Sequence, residues 1–469
     1  MLPRLSTRLA VGWYFHAYGP KLTPEQIEQN FADINPPLTP ALALEAASRC
    51  LFCYDAPCIK ACPTEINIPQ FIRQILTDNL TGSARTILSA NVLGHSCGRV
   101  CPTAVLCEGA CVLNAEGKKP VEIGRLQRYA VDYVLDSKIQ VLKSGPANGR
   151  RVALIGAGPA SLSCATELRK LGYATTIFEA KPDPGGLNTY GIAAYKMRAA
   201  DAIREIDMVR ELGVEIRTGV VVGKDIPLVQ LEREYDAIFI GVGLGGTEEL
   251  HIESERVRRL VDALSFIERT KTNGLDHVQV GTRVAVIGGG NTAIDVATAA
   301  RRLGAETVYM IYRRSREEMS AFDYEYELAQ SDGVTFIWQA LPVRVVPDAR
   351  GRAIGLVCVK TELGPPDQSG RRSPRPIPGS ELTLDVDMIV KALGQKKLEF
   401  LSQVPGLELD RGKLIVNRET MQTSNPKYFA GGDCVNGGAE VVDAVAHGKR
   451  AARGIHLALE SWRKEVAHA

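Results

Sequence analysis

The chain has 469 residues, a net charge of +2, and a globular composition of 45% hydrophobic and 23% charged residues. That length predicts about three domains, and so long a chain buries enough surface to fold without disulfide staples. The near-neutral charge argues against nucleic acid or an anionic membrane as the main partner, and no apolar run approaches the ~20 residues of a bilayer span.

The segment from Met1 to Pro20 mixes Trp13, Tyr14, His16 and Tyr18 into its apolar stretch. It lacks the uninterrupted apolar core and small-residue cleavage site of a signal peptide, so a cytoplasmic protein is expected. Residues 1–145 read as helical, with patterns such as Pro69–Leu76 and Ile123–Leu135. Of 11 cysteines, eight fall between Cys50 and Cys111, and only Cys164, Cys358 and Cys434 lie elsewhere. The first half is Cys50-x2-Cys53-x4-Cys58-x3-Cys62-Pro63. The second is Cys97-x3-Cys101-Pro102, then Cys107-x3-Cys111. Without a secretion signal, a dense thiol block reads as metal-binding. Close, irregular spacings ending in Cys-Pro suit [4Fe–4S] clusters, and eight thiolates are enough for two. Zinc, which usually takes separated Cys-x2-Cys pairs, and disulfides, which need an oxidising compartment, are the alternatives.

A polar stretch, residues 143–149, reads as a linker. Arg151–Ile155 is then a short apolar strand, Gly156–Ser161 a tight turn, Leu162–Leu171 an amphipathic helix and Thr175–Phe178 a second strand. The same order returns at Arg283–Ile287, Gly288–Gly290, Ala293–Leu303 and Thr307–Tyr312. Two βαβ units argue for two nucleotide-binding domains on parallel sheets. Strands at Tyr235–Gly241 and Asp387–Gly394 bracket the second unit, as crossovers would if it were inserted in the first.

In the first unit, Gly156 makes the turn, Gly158 lets backbone approach a pyrophosphate, and the small Ser161 allows close helix–strand packing. Phosphates favour the N–H groups and dipole of the helix start at Pro159 and Ala160. Glu179 ends the second strand, where an acid holds a ribose diol. The second unit, Gly288-Gly289-Gly290-Asn291-Thr292-Ala293, has no acid there. Its second strand runs into Arg313-Arg314, which suits a 2′-phosphate, unless the pair is merely a solvated surface. Near the C-terminus, Ala430-Gly431-Gly432-Asp433 precedes a helix from about Glu440 and reads as a flavin ribitol site beside the other motifs.

Together the cysteine block, the two glycine motifs, Glu179, Gly185-Gly186-Leu187 and Asp433 resemble the glutamate synthase small-subunit family along nearly the whole chain. The nearest branch looks like the N-terminal half of dihydropyrimidine dehydrogenase, which in bacteria is a separate electron-input subunit. The resemblance implies an α/β protein with a helical [4Fe–4S] domain over 1–145. Two Rossmann-like domains of glutathione-reductase type follow: FAD-binding over 146–247 and 394–469, with an NAD(P)H domain over 248–393 inserted.

By resemblance, one cluster uses Cys50, Cys53, Cys58 and Cys111. The other uses Cys62, Cys101, Cys107 and Gln127, leaving Cys97 a bystander. Gln127 favours the dihydropyrimidine dehydrogenase branch, since glutamate synthase relatives tend to carry Glu there. FAD would meet Gly156, Ala157, Gly158, Pro159, Ala160, Glu179, Leu187, Lys196, Val222 and the segment Gly432, Asp433 to Val441. NADPH, or NADH, would meet Gly289, Gly290, Asn291, Thr292, Arg313, Arg314, Ala392, Leu393 and Gly394. Lys196 stands where the family often has Arg, and Ser320 where a third basic phosphate contact is usual.

The implied activity is hydride transfer from NAD(P)H to FAD and single-electron release to two clusters, with no catalytic side chain assigned. The pyrimidine-reducing part, an FMN barrel of roughly 250 residues, has no room in this chain. It is expected on a partner, a dihydroorotate-dehydrogenase-like subunit reducing uracil or thymine in a hetero-oligomer. The rival readings are the small subunit of glutamate synthase and a non-catalytic scaffold or redox-sensing module.

Overall fold

Threonine and asparagine caps lay out the helices of the cysteine-bearing region. The computed structural model describes residues 22–367 and 370–468, with 462–468 as backbone alone. The stretch from Met1 to Pro20 lies outside the described residues. Helices α1 (Pro24–Asn30), α2 (Pro40–Ser48), α3 (Pro57–Lys60), α4 (Ile68–Leu76), α5 (Leu80–Ala90), α6 (Gly94–Val100) and α7 (Ile123–Asp136) follow in order. Thr23 and Gln26 form a capping box on α1, and Thr39, Asn67 and Asn79 cap α2, α4 and α5. Each such cap contributes about 1 kcal/mol. The α4 spacing buries Ile68, Phe71, Ile72 and Ile75 on one face.

The first nucleotide unit comprises β1 (Arg151–Ile155), α8 (Pro159–Lys170), β2 (Ala174–Glu179), α9 (Leu187–Tyr190), α10 (Ala199–Glu211), β3 (Glu215–Thr218), α11 (Leu228–Glu234) and β4 (Ala237–Ile240). The second contains β5 (Leu260–Asp262), α12 (Ala263–Thr272), β6 (Arg283–Ile287), α13 (Asn291–Arg302), β7 (Thr307–Tyr312), α14 (Asp323–Ser331) and β8 (Thr335–Trp338). An antiparallel layer of β9 (Ala340–Pro347), β10 (Ala353–Pro366), β11 (Arg372–Pro376) and β12 (Leu382–Asp385) precedes β13 (Met388–Lys391). Then come α15 (Phe400–Gln403), β14 (Leu409–Asp410), β15 (Lys413–Leu414), β16 (Tyr428–Ala430), α16 (Asp433–Asn436) and α17 (Val441–His468).

The two main sheets are parallel, ordered β16-β4-β1-β2-β3 and β5-β13-β6-β7-β8. In each, the strand before the glycine turn lies between the strand after its helix and a crossover strand. That is the switch point where such sheets open a crevice for a ligand. The chain leaves the first sheet after β4 and returns to it only at β16. The two connections pair, Gly245 N–H donating to Lys396 O at 2.8 Å and Glu248 N–H to Gly394 O at 2.7 Å.

Two expectations need correction. Residues 143–149 are no free linker: Gly145 N–H donates to Arg169 O, Asn148 N–H to Gly172 O, and a Cβ on Gly172 would lie 1.9 Å from Pro146 O. The apolar core accordingly runs unbroken from Phe71 and Ile72 to Leu154 and Leu168. Helix α1, read with the cluster region, packs elsewhere: its Ile27, with Phe31 just beyond it, joins Phe266 and Ile267 of the second nucleotide unit. Apolar spacing reveals that a helix has a buried face, not which neighbour covers it. Among the described residues, no helix is long and apolar enough to cross a membrane.

Candidate functional site

The cysteines sit on tight turns between short helices and ring two voids. Cys50 and Cys53 follow α2, Cys58 lies in α3, and Cys111 precedes a short 3-10 turn. These four line the first void together with Leu51, Ile68 and Ile72. Cys62, Cys97, Cys101, Cys107 and Gln127 line the second, with Ile66, Leu106 and Val442. Cys97 and Cys101 are one turn apart at α6, so both reach the same void. Gln127 donates its Nε2 to Gly94 O at 2.7 Å, which leaves Oε1 as the oxygen available to iron.

All 11 cysteines are free thiols. Among the described residues, no three His, Cys, Asp or Glu side chains are grouped to hold a single metal ion. The thiols surround an apolar space rather than converge on a point, a donor set that fits an iron–sulfur cube. Burial, then the neighbouring thiols, push Cys58 up to about 11. Burial, then Glu108, raise Cys107, and hydrogen bonding to Cys97 with burial raises Cys101 well above the usual thiol value. Reactive sensor thiols are instead held as low-pKa thiolates, whereas metal coordination deprotonates a buried thiol outright.

In the first nucleotide unit, Gly156 adopts φ +88°, and a Cβ there would lie 2.6 Å from Gly241 O. Gly158 differs: its Cβ would meet nothing nearer than Gly241 O at 3.9 Å, so hydrogen alone keeps that space open. Ser161 packs against Gly241, whose Cβ would fall 2.2 Å from Ser161 Oγ. The loop before Leu187 folds onto this turn, a Cβ on Gly186 lying 2.9 Å from Gly158 Cα. Glu179 is buried, with Oε2 accepting Ala157 N–H at 2.7 Å and Oε1 accepting Lys181 N–H at 2.8 Å. Val220 N–H donates to Glu179 O and brings the buried Val222 to the same corner. From the C-terminal segment, Gly432 (φ +77°) would place a Cβ 3.3 Å from Ala160 Cβ, and Asp433 follows it, its carboxyl raised by burial. Pro159 and Ala160 at the start of α8, Leu187 at the start of α9 and Ala444 in the first turn of α17 therefore border one cradle that can take FAD, with Val441 opening that last helix.

The second unit repeats this design. A Cβ on Gly288 would lie 2.3 Å from Ala392 O, whereas one on Gly290 would meet only Ser320 Oγ at 3.6 Å. Gly289 is covered by the Tyr312 ring, and Asn291 and Thr292 open α13. Leu393 and Gly394 continue from Ala392, and a Cβ on Gly394 would meet nothing within 4 Å. Arg313 is exposed and Arg314 buried, with Arg314 Nε lacking a hydrogen-bond partner. Partial desolvation, then the charges of Arg314 and Arg371, lower the pKa of Arg313. Cations gathered in this way suit an anion. Arg371, just before β11, is the basic residue that motif reading missed. Ser320 turns both N–H and Oγ to Gly289 O.

Lys196, which the resemblance places at the flavin, has its Nζ 2.6 Å from Asp295 Oδ1 on α13 and 2.6 Å from Glu325 Oε1 on α14. Both acids belong to the nucleotide unit across the crevice, and they hold the ammonium charged despite its burial. Two further residues carry no motif signal. His447 Nδ1 accepts Gly432 N–H at 3.1 Å, and Lys449 Nζ donates to Thr64 O and Ala90 O beside the second void.

Residues 27–139 match the family model described as dihydropyrimidine dehydrogenase domain II, 4Fe-4S cluster. Residues 150–448 match the model of pyridine nucleotide-disulphide oxidoreductases. The glutamate synthase [NADPH] small chain of Escherichia coli K12 is 36% identical over 446 residues, covering 92% of this chain and 94% of that one. The NAD-dependent dihydropyrimidine dehydrogenase subunit PreT of Salmonella typhimurium is also 36% identical, covering 92% and 98%. Among solved structures, Mycobacterium tuberculosis FprA in complex with NADPH superposes with a TM-score of 0.57 at 17% identity, over 69% of this chain and 86% of that one. That likeness speaks to the fold.

Proposed function

The chain belongs to the glutamate synthase small-subunit family of NAD(P)H-dependent flavin and iron–sulfur oxidoreductases, and from that premise we propose that it is the electron-input subunit of a dihydropyrimidine dehydrogenase. When bound, FAD accepts a hydride from the nicotinamide and the clusters take its electrons singly. The chain's own work is placement. Gly158 and Gly290 leave room for two pyrophosphates, Glu179 offers a carboxylate to a ribose, and Arg313 and Arg314 offer charge to a 2′-phosphate.

The observation that carries this reading is the start of α17. Ala444 faces the flavin segment, 3.9 Å from where a Cβ on Gly432 would lie, and Val442, two residues earlier, lines the void of Cys62, Cys101, Cys107 and Gln127. That site is the inner cluster, and Gln127 rather than Cys97 completes it. The outer site, of Cys50, Cys53, Cys58 and Cys111, is bordered by the exposed Leu51. Exposed Tyr54 follows Cys53 in sequence, and this is where an FMN-containing barrel subunit would dock in a hetero-oligomer. The choice of the pyrimidine branch over glutamate synthase rests on Gln127.

Anaerobically purified chain is expected to hold about eight iron atoms, to reduce artificial dyes with a nicotinamide donor, and to leave uracil unchanged until the barrel subunit is added. Gln127→Ala should alter one cluster's spectrum while Cys97→Ser leaves both assembled. Uracil reduction by this chain alone, or co-purification with a large amidotransferase chain, refutes the assignment.

A further inference from the structure

We propose that Lys196, Asp295 and Glu325 are positioning residues that lock the flavin segment and the nicotinamide nucleotide helix into the register that hydride transfer requires. The inference rests on the functional reading above and adds to it the device that aligns the two nucleotides.

Lys196 lies between α9 and α10, in the segment that follows the Gly186–Leu187 loop of the flavin cradle. Asp295 is on the second turn of α13, whose first residues, Asn291 and Thr292, are expected to meet the nicotinamide pyrophosphate. Glu325 is on α14, beyond the Arg313–Arg314 corner. The three side chains are 9%, 9% and 5% exposed, and Lys196 Nζ reaches both carboxylates at 2.6 Å. Tyr195 O–H also donates to Asp295 Oδ1 at 3.0 Å, and Arg302 of α13 stacks on the Tyr195 ring at 4.4 Å. Tyr324 O–H approaches Glu325 Oε1 at 3.4 Å, and Glu440 and Lys271 complete the charged surroundings.

A second clasp runs the other way. Lys271, on α12 of the nucleotide unit, donates to Asn188 O at 2.7 Å and Met197 O at 2.9 Å in the flavin unit. Buried ion pairs add little net stability, because desolvation offsets the attraction, but removing one partner strands a buried charge. Such pairs are best suited to specifying one arrangement out of several. Here they bind α13 to residues 195 and 196 and α12 to residues 188 and 197, so a change in their geometry moves the pyrophosphate site relative to the flavin cradle. Transfer rates fall steeply with small misplacements of reacting atoms, by about a hundredfold for ~1 Å.

The test uses the full chain with its cofactors and three single variants, Lys196→Met, Asp295→Asn and Glu325→Gln. Each is expected to slow flavin bleaching by NADPH in rapid mixing by about 10–100-fold. Each should also raise the isotope effect with 4-deuterated donor, while FAD content, iron content and flavin midpoint potential stay at parent values. In nucleotide-free protein, amide exchange of α13 and of residues 195–198 should rise together. If the acid variants bleach at the parent rate, or a potential shift appears in Lys196→Met alone, Lys196 acts on the flavin directly and the inference is overturned. Should Lys196→Met fail to fold, Asp295→Asn decides, since it keeps an oxygen for both Lys196 and Tyr195. A parent flavin that neither NADPH nor NADH bleaches would instead refute the functional reading, and this inference with it.

Discussion

The two βαβ units use one backbone design and differ at a few side chains. In both, the first glycine is required by the neighbouring carbonyl, that of Gly241 for Gly156 and that of Ala392 for Gly288. In both, the second glycine faces open space, Gly158 in one and Gly290 in the other. They part at the end of the following strand. Glu179 is buried and oriented by two backbone N–H groups, whereas Arg313 lies beside the charges of Arg314 and Arg371. The two units thus share the turn and differ in the charge at the strand end.

The largest effects should come from filling the open spaces. Gly158 and Gly290 have φ of −76° and −104°, which alanine adopts without strain. Gly158→Ala should fold normally yet lose FAD, and Gly290→Ala should keep FAD yet lose its response to nicotinamide nucleotide. Each forfeits charge-assisted bonds of about 1.5–3 kcal/mol apiece. Calorimetry of the apoprotein and the flavin content of the purified protein check this. An unfolded Gly158→Ala protein, or one that keeps FAD, would show that the glycine serves packing instead.

A smaller effect is expected at the strand end. Arg313→Ala/Arg314→Ala should reduce the NADPH-to-NADH ratio of kcat/KM by roughly 10–100-fold, since charged hydrogen bonds of about 1.5–3 kcal/mol are lost but Arg313 is exposed. Arg371→Ala should reduce it only a few-fold. Equal losses with both donors, or a parent preference for NADH, would refute the 2′-phosphate assignment.

The smallest effect concerns His447, which the first unit has and the second lacks. Burial, then Arg450, lower its pKa to about 4, below the ordinary 6.5, so the folded chain holds it neutral to accept Gly432 N–H. Between those values the unfolded chain binds a proton that the folded chain does not. Its contribution is thus complete above pH 6.5 and fades as pH falls to 4. Glu440, raised to about 7 by burial and Asp443, works in the opposite direction over a similar range. The parent-minus-variant difference with His447→Gln, from denaturant melts at several pH values, isolates the histidine. A difference that does not change with pH would mean that His447 is not held neutral in the folded chain.

Local pattern carried a good deal of this. β1 and β6 end where short apolar runs meet glycine, and β7 spans the predicted Thr307–Tyr312, because strand, turn and helix are each specified within a few residues. The thiol block was legible for the same reason. The antiparallel layer β9–β12 was not, since its burial pattern is irregular and the β9–β10 register shifts between Ala353 and Gly355 and between Val357 and Cys358. The carboxylate partners of Lys196 were not legible either, because an ammonium group goes to whichever carboxylates the packing brings within reach.

Sequence alone thus determined the nucleotide turns, Glu179, the arginine pair and the cysteine inventory, all of which depend on neighbours a few residues apart. Tertiary structure alone decided that α1 packs on the second nucleotide unit and that residues 143–149 are clamped to the turn after α8. It also decided that five donors face the inner void, that Arg371 joins the arginines, and that Lys196 joins the two halves of the crevice. The physical reason is the same throughout. Burial, ion pairing and close packing depend on distance in space, and these contacts bring together residues that the chain holds far apart.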